Sequence, residues 1–480
     1  MERKSLSRRN FMKAALGGLG IYAMGGCSLS AMGGFKKKQR PNIIFLLTDD
    51  QRWDTMGCMG NKIIKTPNMD KMAHNGVLFT NAFVTTSICC TSRASIFSGQ
   101  YARRHNINDF STPFSQAALA QTYPMQLRNA GYRIGFIGKY GVGPAKDFPD
   151  KLYDYWRGIP GQPTYEHKDE QGNYKHLTQI MGEQSLEFLQ GCSQDKPFCL
   201  SVSFKAPHVQ DSDPRQFIYD PAYKDLYKDV NIPLPQTATL KALASLPPFL
   251  KDERTETRVR WHRRFETPQM YQDSVKGYYR LITGVDVVIG RIRDELKRLD
   301  LDDNTIIILI GDNGFFLSEH EWAGKWYGYE ESIRVPLVIY DPRLPSSRRG
   351  QVRKEMALNI DIAPTILSLA GANIPERMQG RDLTTLIEGK QTNWREDFFY
   401  EHLFEYHPRG IKMNAIPKTE GVVTKRFKYL SYPEQEPIYE QLFDLKNDPH
   451  EEKNLAQDPK YQDTLIKLRQ RCDEFRQSCK

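Results

Sequence analysis

Four short apolar runs, each ending in polar chemistry, limit what this chain can fold into more than any other feature. Asn42 to Leu47 (Asn-Ile-Ile-Phe-Leu-Leu) ends in Thr48-Asp49-Asp50-Gln51, and Tyr132 to Ile137 ends in Gly138-Lys139-Tyr140-Gly141. Pro197 to Phe204 ends in Lys205-Ala206-Pro207-His208, and Thr305 to Ile310 in Gly311-Asp312-Asn313-Gly314. Apolar runs without alternation fit strands covered on both faces. Helical patterns separate them, clearest from Val275 to Leu299, where Tyr278, Leu281, Ile282, Val285, Val288, Ile289, Ile292, Leu296 and Leu299 keep helical spacing. Strands alternating with helices predict an α/β fold with a largely parallel sheet. Such sheets bind ligands beyond the carboxyl ends of their strands, so four strand ends here deliver polar side chains to one edge.

Asp49-Asp50 and Asp312-Asn313 are paired oxygen donors at two of those ends. Adjacent carboxylates repel unless a cation holds them, and an all-oxygen set selects a hard ion. Taken singly, either pair could instead cap a turn. The stretch from Thr85 to Gln100 supplies a counterpart. Thr91 and Ser92 are N-cap candidates for a short helix that Gly99 ends, which puts Cys89 just ahead of an anion-favouring helix N-terminus, with Arg93 four residues on. A cysteine thiolate suits Ca²⁺ or Mg²⁺ poorly, whereas an oxygen nucleophile could both ligate and be polarised.

Cys89-Cys90-Thr91-Ser92-Arg93, followed by Ala94-Ser95-Ile96-Phe97-Ser98-Gly99, resembles the signature of type I sulfatases, Cys-x-Pro-Ser-Arg then Ala-Ser-x-x-Thr-Gly, with Thr91 where Pro or Ala is usual. The resemblance covers most of residues 41–456. It implies an alkaline-phosphatase-like fold, a large mixed sheet flanked by helices, with a smaller C-terminal α+β domain. It also implies that a maturase converts Cys89 to formylglycine, whose hydrate is the nucleophile. One divalent cation, Ca²⁺, is then held by Asp49, Asp50, Asp312, Asn313 and the modified Cys89. Arg93, Lys139 and Lys325 (in Glu319 to Pro336) become sulfate-binding cations, His208 helps hold the sulfate, and His208 or Lys325 protonates the leaving oxygen. Leu442 to Pro449 and Asn454-Leu455 resemble the family's C-terminal ending. One position departs. The family reads Gly-Lys-Trp-His-Leu-Gly where this chain has Gly138-Lys139-Tyr140-Gly141-Val142-Gly143, so the histidine that helps expel sulfate is missing, with Tyr140 or His105 as possible substitutes.

Charge locates partners and address. Of 67 Lys and Arg, nine lie in residues 1–40 against one acid, leaving 58 basic and 57 acidic groups in the body. A near-neutral body argues against a nucleic-acid partner. The 8 cysteines follow neither a disulfide framework nor a zinc spacing. Residues 1–34 read as a leader: Ser7-Arg8-Arg9-Asn10-Phe11-Met12-Lys13 matches the twin-arginine export pattern, and Ala14 to Met24 is too short and glycine-rich to span a membrane. Met24-Gly25-Gly26-Cys27 resembles a lipoprotein box, so a lipid on Cys27 is the expected route to a membrane; without it the protein is periplasmic.

Two regions are expected to meet the substrate. Gln210 to Gln272 reads as a long polar lid or binding loop, with Arg260, His262 and Arg263 in a basic run beside Trp261 that could grip a sulfated glycan or simply face solvent. Residues 376–480 read as a second domain after a catalytic one at 41–375, with His402, His407 and Arg409 as further candidates. Two alternatives stand beside the sulfatase reading. One is a phosphatase or phosphonate monoester hydrolase of the same fold; the other is a lipoprotein that binds sulfated glycan without turnover.

Overall fold

A computed structural model describes residues 40–390, 393–407 and 414–480. The leader, with Arg8, Arg9 and Cys27, lies outside the described residues, as does Arg409.

All four apolar runs are strands, and they are neighbours. The main sheet runs in the order Gln351–Arg353, Val77–Phe83, Arg334–Tyr340, Thr305–Gly311, Asn42–Asp49, Phe198–Pro207, Arg133–Lys139, Tyr155–Ile159, with Ala357–Leu358 beside Val77–Phe83. Asn42–Asp49 is parallel to both its neighbours, and Arg133–Lys139 is parallel to Phe198–Pro207 and to Tyr155–Ile159. Arg334–Tyr340 runs against both of its neighbours, so the sheet is mixed. Every residue of Asn42–Asp49 and of Thr305–Gly311 is buried, as unbroken apolar runs require of strands covered on both faces.

Helices cover the two faces. Pro268–Arg298 starts at Thr267, whose side chain accepts from the Met270 amide. It begins earlier than the spacing from Val275 predicts, because Tyr271 and Ser274 add a turn to its buried face. On the other face, the helices Cys89–Ser98 and Ile362–Ala370 share one core with Phe45, Ile306 and Ile308. The expected lid between Gln210 and Gln272 is not one irregular stretch: it contains the helices Leu240–Ser245, Pro248–Lys251 and Glu256–Arg264. Short amphipathic turns, with Arg258 and Arg264 buried, supply order that its polar composition hides.

A second, antiparallel sheet follows in the order Asp397–His402, Thr419–Thr424, Phe427–Tyr432, Tyr439–Asp444, with the C-terminal helix Gln462–Ser478 against it. It is not remote from the first sheet. Tyr400 donates its hydroxyl to the Trp326 carbonyl at 2.6 Å and lies 2.7 Å from Ser87 Oγ, while the Glu401 amide donates to Thr85 O at 3.0 Å. The small sheet therefore grips the segment before Cys89 and the one after Lys325. Cys192, Cys199, Cys472 and Cys479 are all free thiols. No helix among the described residues is long and apolar enough to cross a membrane.

Candidate active site

Register places the acids. Thr48 pairs with Gly311 and Asp49 with Pro207, so Asp49-Asp50, His208 and Asp312-Asn313 leave three adjacent strands at one level. In an extended strand Asp49 and Asp50 point to opposite faces. Asp50 instead takes a left-handed backbone (φ 67°), and the ligand atoms of Asp49, Asp50 and His208 come within 4.8 Å of one another. That strained conformation is held from outside the edge: Tyr278 donates its hydroxyl to Asp50 O at 2.6 Å and accepts from the Arg52 amide at 3.1 Å.

The oxygens fit a hard cation. Asp49 Oδ1 and Asn313 Oδ1 are buried with no hydrogen-bond donor among the described residues, an expensive state unless a cation takes the lone pairs. Asp312 Oδ1 accepts from the Asp50 amide at 3.1 Å, and Asn313 Nδ2 donates to Asp50 Oδ1 at 2.7 Å, which knits the two pairs into one cluster. Burial, reinforced by the charge of Asp49, pushes the Asp312 carboxyl up to about 7. Burial works the same way on Asp49, but Lys139, His208, Arg93 and Lys325 outweigh it and hold that carboxyl below the usual range. This cluster is one that can hold a metal.

Three buried cations surround it. Lys139 Nζ donates to Asp49 Oδ2 at 2.6 Å, Lys325 Nζ donates to Asp50 Oδ1, and Arg93 Nε donates to Asp312 Oδ2 at 2.9 Å. Burial opposes charge on all three, yet Asp312 and Asp49 for Arg93, Asp49 for Lys139 and Asp50 for Lys325 keep them above their ordinary values. Lys139 is no surface lysine. A negative charge on Cys89 would favour the charged form of each of the three cations, so the residue lies within electrostatic reach of all of them.

Cys89 is the first residue of its helix, Cys89–Ser98, and Ile88 is the extended N-cap, so the helix begins earlier than Thr91 or Ser92 would start it. The Ser92 amide already donates to Ile88 O, and Ser92 itself is buried, accepting from Asn359 Nδ2 at 3.0 Å. Gly99 ends the helix with φ 65°, as expected of a glycine stop. Neighbouring cysteines part company here. Cys90 packs into the apolar core and its thiol is pushed up to about 12 by burial and by Cys89 beside it.

Neither expected substitute for the missing histidine reaches the centre. Tyr140 packs among Phe97, Phe136, Phe148 and Trp156. His105 sits 3.0 Å from Ser95 Oγ, accepts from the Ile107 amide, and is driven down to about 3 by burial. Gly141 lies against Arg93. A Cβ on Gly141 (φ 76°) would fall 2.7 Å from Arg93 Cδ. The guanidinium crosses that space to donate from Nη1 to Lys139 O at 2.7 Å and to Ser203 Oγ. In this chain Arg93 therefore fills the space beside Gly141 that a side chain there would share.

His208 is buried, with Nδ1 2.7 Å from Val209 O and Nε2 3.6 Å from Asp50 Oδ2. Burial, only partly offset by Asp50 and Asp49, lowers it to about 4. Of the outer candidates, Arg260 lies over the residue that follows Lys325: its guanidinium is 5.1 Å from the centre of the Trp326 ring and pairs with Glu256 and Asp211. His262 is held between Glu253 at 2.7 Å and Glu266 at 2.9 Å. Arg263 lines a different cavity with Arg215 and Met270. His402 is fully buried on its strand, because the small sheet turns its polar-looking end into core. His407 faces a separate groove with Phe249 and Glu434. Sequence reading missed Ser203 and Tyr278, since a serine in an apolar strand and a tyrosine on a helix's apolar stripe look like packing.

Comparison with known proteins agrees with this arrangement. A family model described as "Sulfatase" matches residues 41–372, and one described as "N-sulphoglucosamine sulphohydrolase, C-terminal" matches 318–478. A relative from Bacteroides thetaiotaomicron, an N-acetylglucosamine-6-O-sulfatase, is 27% identical over 93% of this chain and 88% of its own. A solved structure described as a complex with its substrate D-glucosamine-2-N,6-O-disulfate superposes with TM-score 0.75 and 26% identity, over 92% of this chain and 98% of that one. The phosphonate monoester hydrolase of Agrobacterium radiobacter, at 21% identity and TM-score 0.76 over 92% of this chain and 96% of its own, shares the fold. With acids, cations and Cys89 gathered at the sheet edge that the family match spans, the chain belongs to the sulfatase family.

Proposed function

We propose that this sulfuric ester hydrolase removes sulfate from a carbohydrate, with Cys89 matured to formylglycine and one Ca²⁺ held by Asp49, Asp50, Asp312 and Asn313. The observation that carries the reading is the set of three buried cations, Arg93, Lys139 and Lys325, around a cysteine at a helix start and unsatisfied oxygens. Formylglycine supplies an oxygen nucleophile compatible with a hard metal, and the cation supplies charge neutralisation on sulfate oxygens. The chain's own residues do the rest. Arg93, Lys139 and Lys325, all buried, present fixed positive charge where negative charge develops. The leaving oxygen takes a proton as the ester bond breaks, from His208 Nε2 when the ring is in its imidazolium form or from Lys325, which Asp50 keeps charged. The sugar class is supported by the amino-sugar sulfates named for the relative and for the solved complex.

The test is a desulfation screen across defined sulfated mono- and disaccharides, beginning with 6-O-sulfated glucosamine derivatives, with phosphate and phosphonate esters as controls. Faster turnover of the phosphorus esters would reassign the enzyme within its fold, and tight binding of sulfated sugars without release of sulfate would make it a binding protein. Metal analysis of the purified protein is expected to return one calcium per chain, and chelation to abolish turnover until Ca²⁺ is restored. Two zinc ions per chain would point to the phosphatase reading instead.

Export as a folded protein through the twin-arginine route belongs to the same proposal, with the periplasm or a lipid anchor at Cys27 as destination and a maturase acting on Cys89 beforehand. Replacing Arg8 and Arg9 together with lysine is expected to leave the precursor inside the cell; cell fractionation reads this out, and undiminished export would overturn it.

A further inference from the structure

The segment from Pro160 to Tyr165 passes beside His208 and brings an exposed glutamine to its ring. Gln162 Nε2 lies 3.1 Å from His208 Nε2, while Nδ1 of the same ring is already engaged with Val209 O at 2.7 Å. The backbone carrying Gln162 is tied down behind it. Tyr165 donates its hydroxyl to His208 O at 2.6 Å, its amide donates to Gln210 Oε1 at 2.9 Å, and its ring stacks on His176 at 5.0 Å. Lys205, buried, donates to Pro163 O and lies 4.2 Å over the Tyr165 ring. Gly161 (φ 58°) makes the turn that presents the next residue. A fixed backbone therefore offers a long, solvent-facing amide to the catalytic imidazole.

Nε2 of an imidazole bonds in one in-plane direction, so Gln162 and a leaving oxygen cannot both hold it. We propose that Gln162 is a specificity-determining residue. In the free enzyme its amide occupies the place on His208 Nε2 at which the leaving oxygen arrives; in the complex the displaced amide hydrogen-bonds a hydroxyl of the leaving sugar beside that oxygen. A carboxamide offers both a donor and an acceptor, which matches a hydroxyl in either orientation. Because the backbone is pinned, rotation of the side chain alone moves the amide from the ring to the neighbouring substrate oxygen. When the S–O bond breaks, its electron pair stays on the sugar oxygen, which takes a proton from the imidazolium form of His208, Nε2 having gained that proton from solvent once the amide has left it; Gln162 gains and loses no atom. The inference rests on the sulfate-ester reading above.

The experiment compares matured, Ca²⁺-loaded wild type with Gln162→Ala on two esters: the sugar sulfate that wild type turns over fastest, and 4-nitrophenyl sulfate, whose leaving group carries no neighbouring hydroxyl. For the sugar sulfate, kcat/KM is expected to fall about tenfold, chiefly through KM, as for loss of one hydrogen bond. For the aryl sulfate it is expected to hold or rise, since no amide has to be displaced. Calorimetric affinity of the sugar sulfate for Cys89→Ala is expected to fall by the same factor when Gln162→Ala is added, with Tm unchanged. Equal losses on both esters, or no loss on the sugar, with an active wild type, overturn the assignment alone. A wild type inert toward every sulfate ester overturns the sulfate reading, and this assignment with it.

Discussion

Cys89→Ala is expected to lower sulfate-ester turnover by roughly 10⁴- to 10⁶-fold, the range for deleting a nucleophile around which the rest of a site is arranged, while the protein stays folded. The size follows from what the alanine leaves behind. Arg93, Lys139, Lys325 and the acids remain to bind sulfate, but nothing remains to attack it. The fold tolerates the change because Cys89 lies on the polar side of its helix, outside the apolar clusters, so losing one sulfur costs about 1 kcal/mol. Cys90→Ala makes the contrast. It removes a core side chain and is expected to lower Tm while leaving kcat within a few-fold of wild type. Mass spectrometry of the peptide from Thr85 to Arg93 should show the Cys89 sulfur replaced by oxygen in active protein from its native host. An intact Cys89 thiol in active enzyme would sink the assignment.

Lys139→Ala and Lys325→Ala are each expected to cost on the order of a hundredfold or more in kcat, as for loss of one preorganised charge-stabilising group. Both ammonium groups are buried against a carboxylate, Lys139 on Asp49 and Lys325 on Asp50. Removing either leaves a buried carboxylate short of a counter-charge, a defect that commonly costs about 3–5 kcal/mol in stability. Two readouts separate the roles. In metal-free protein both substitutions should lower Tm sharply; with Ca²⁺ bound, the cation replaces the missing charge and the Tm loss should shrink, while kcat stays low. Full recovery of kcat on adding Ca²⁺ would show that the lysines serve only the acids and not the sulfate.

Several parts of this site could be read from neighbouring residues alone. The four apolar runs are strands because a stretch such as Thr-Ile-Ile-Ile-Leu-Ile has nowhere to go but a sheet interior. The glycine at position 99 stops its helix because only a left-handed residue closes it there. Asp49, Asp50, Asp312, Asn313, Cys89, Arg93, Lys139, His208 and Lys325 were all nameable from motif and strand-end position, and the structure brings them to one edge.

What stayed hidden depends on partners far away in the chain. The spacing to Arg93 names Cys89 rather than Cys90, but only the fold shows where the second thiol goes: Cys90 packs into the apolar core and Cys89 does not. That Gly141 sits against Arg93, 48 residues earlier in sequence, is visible only once the chain is folded. His402 looked polar and lies in core, while Arg260 was one basic residue among several and alone of its run comes over Trp326. Burial and electrostatics are sums over whatever the fold brings near, and most of those terms come from residues distant in sequence. The sequence by itself therefore determined the strands, their chemical ends and the family; only the tertiary structure decided which neighbour each charge, thiol and ring would meet.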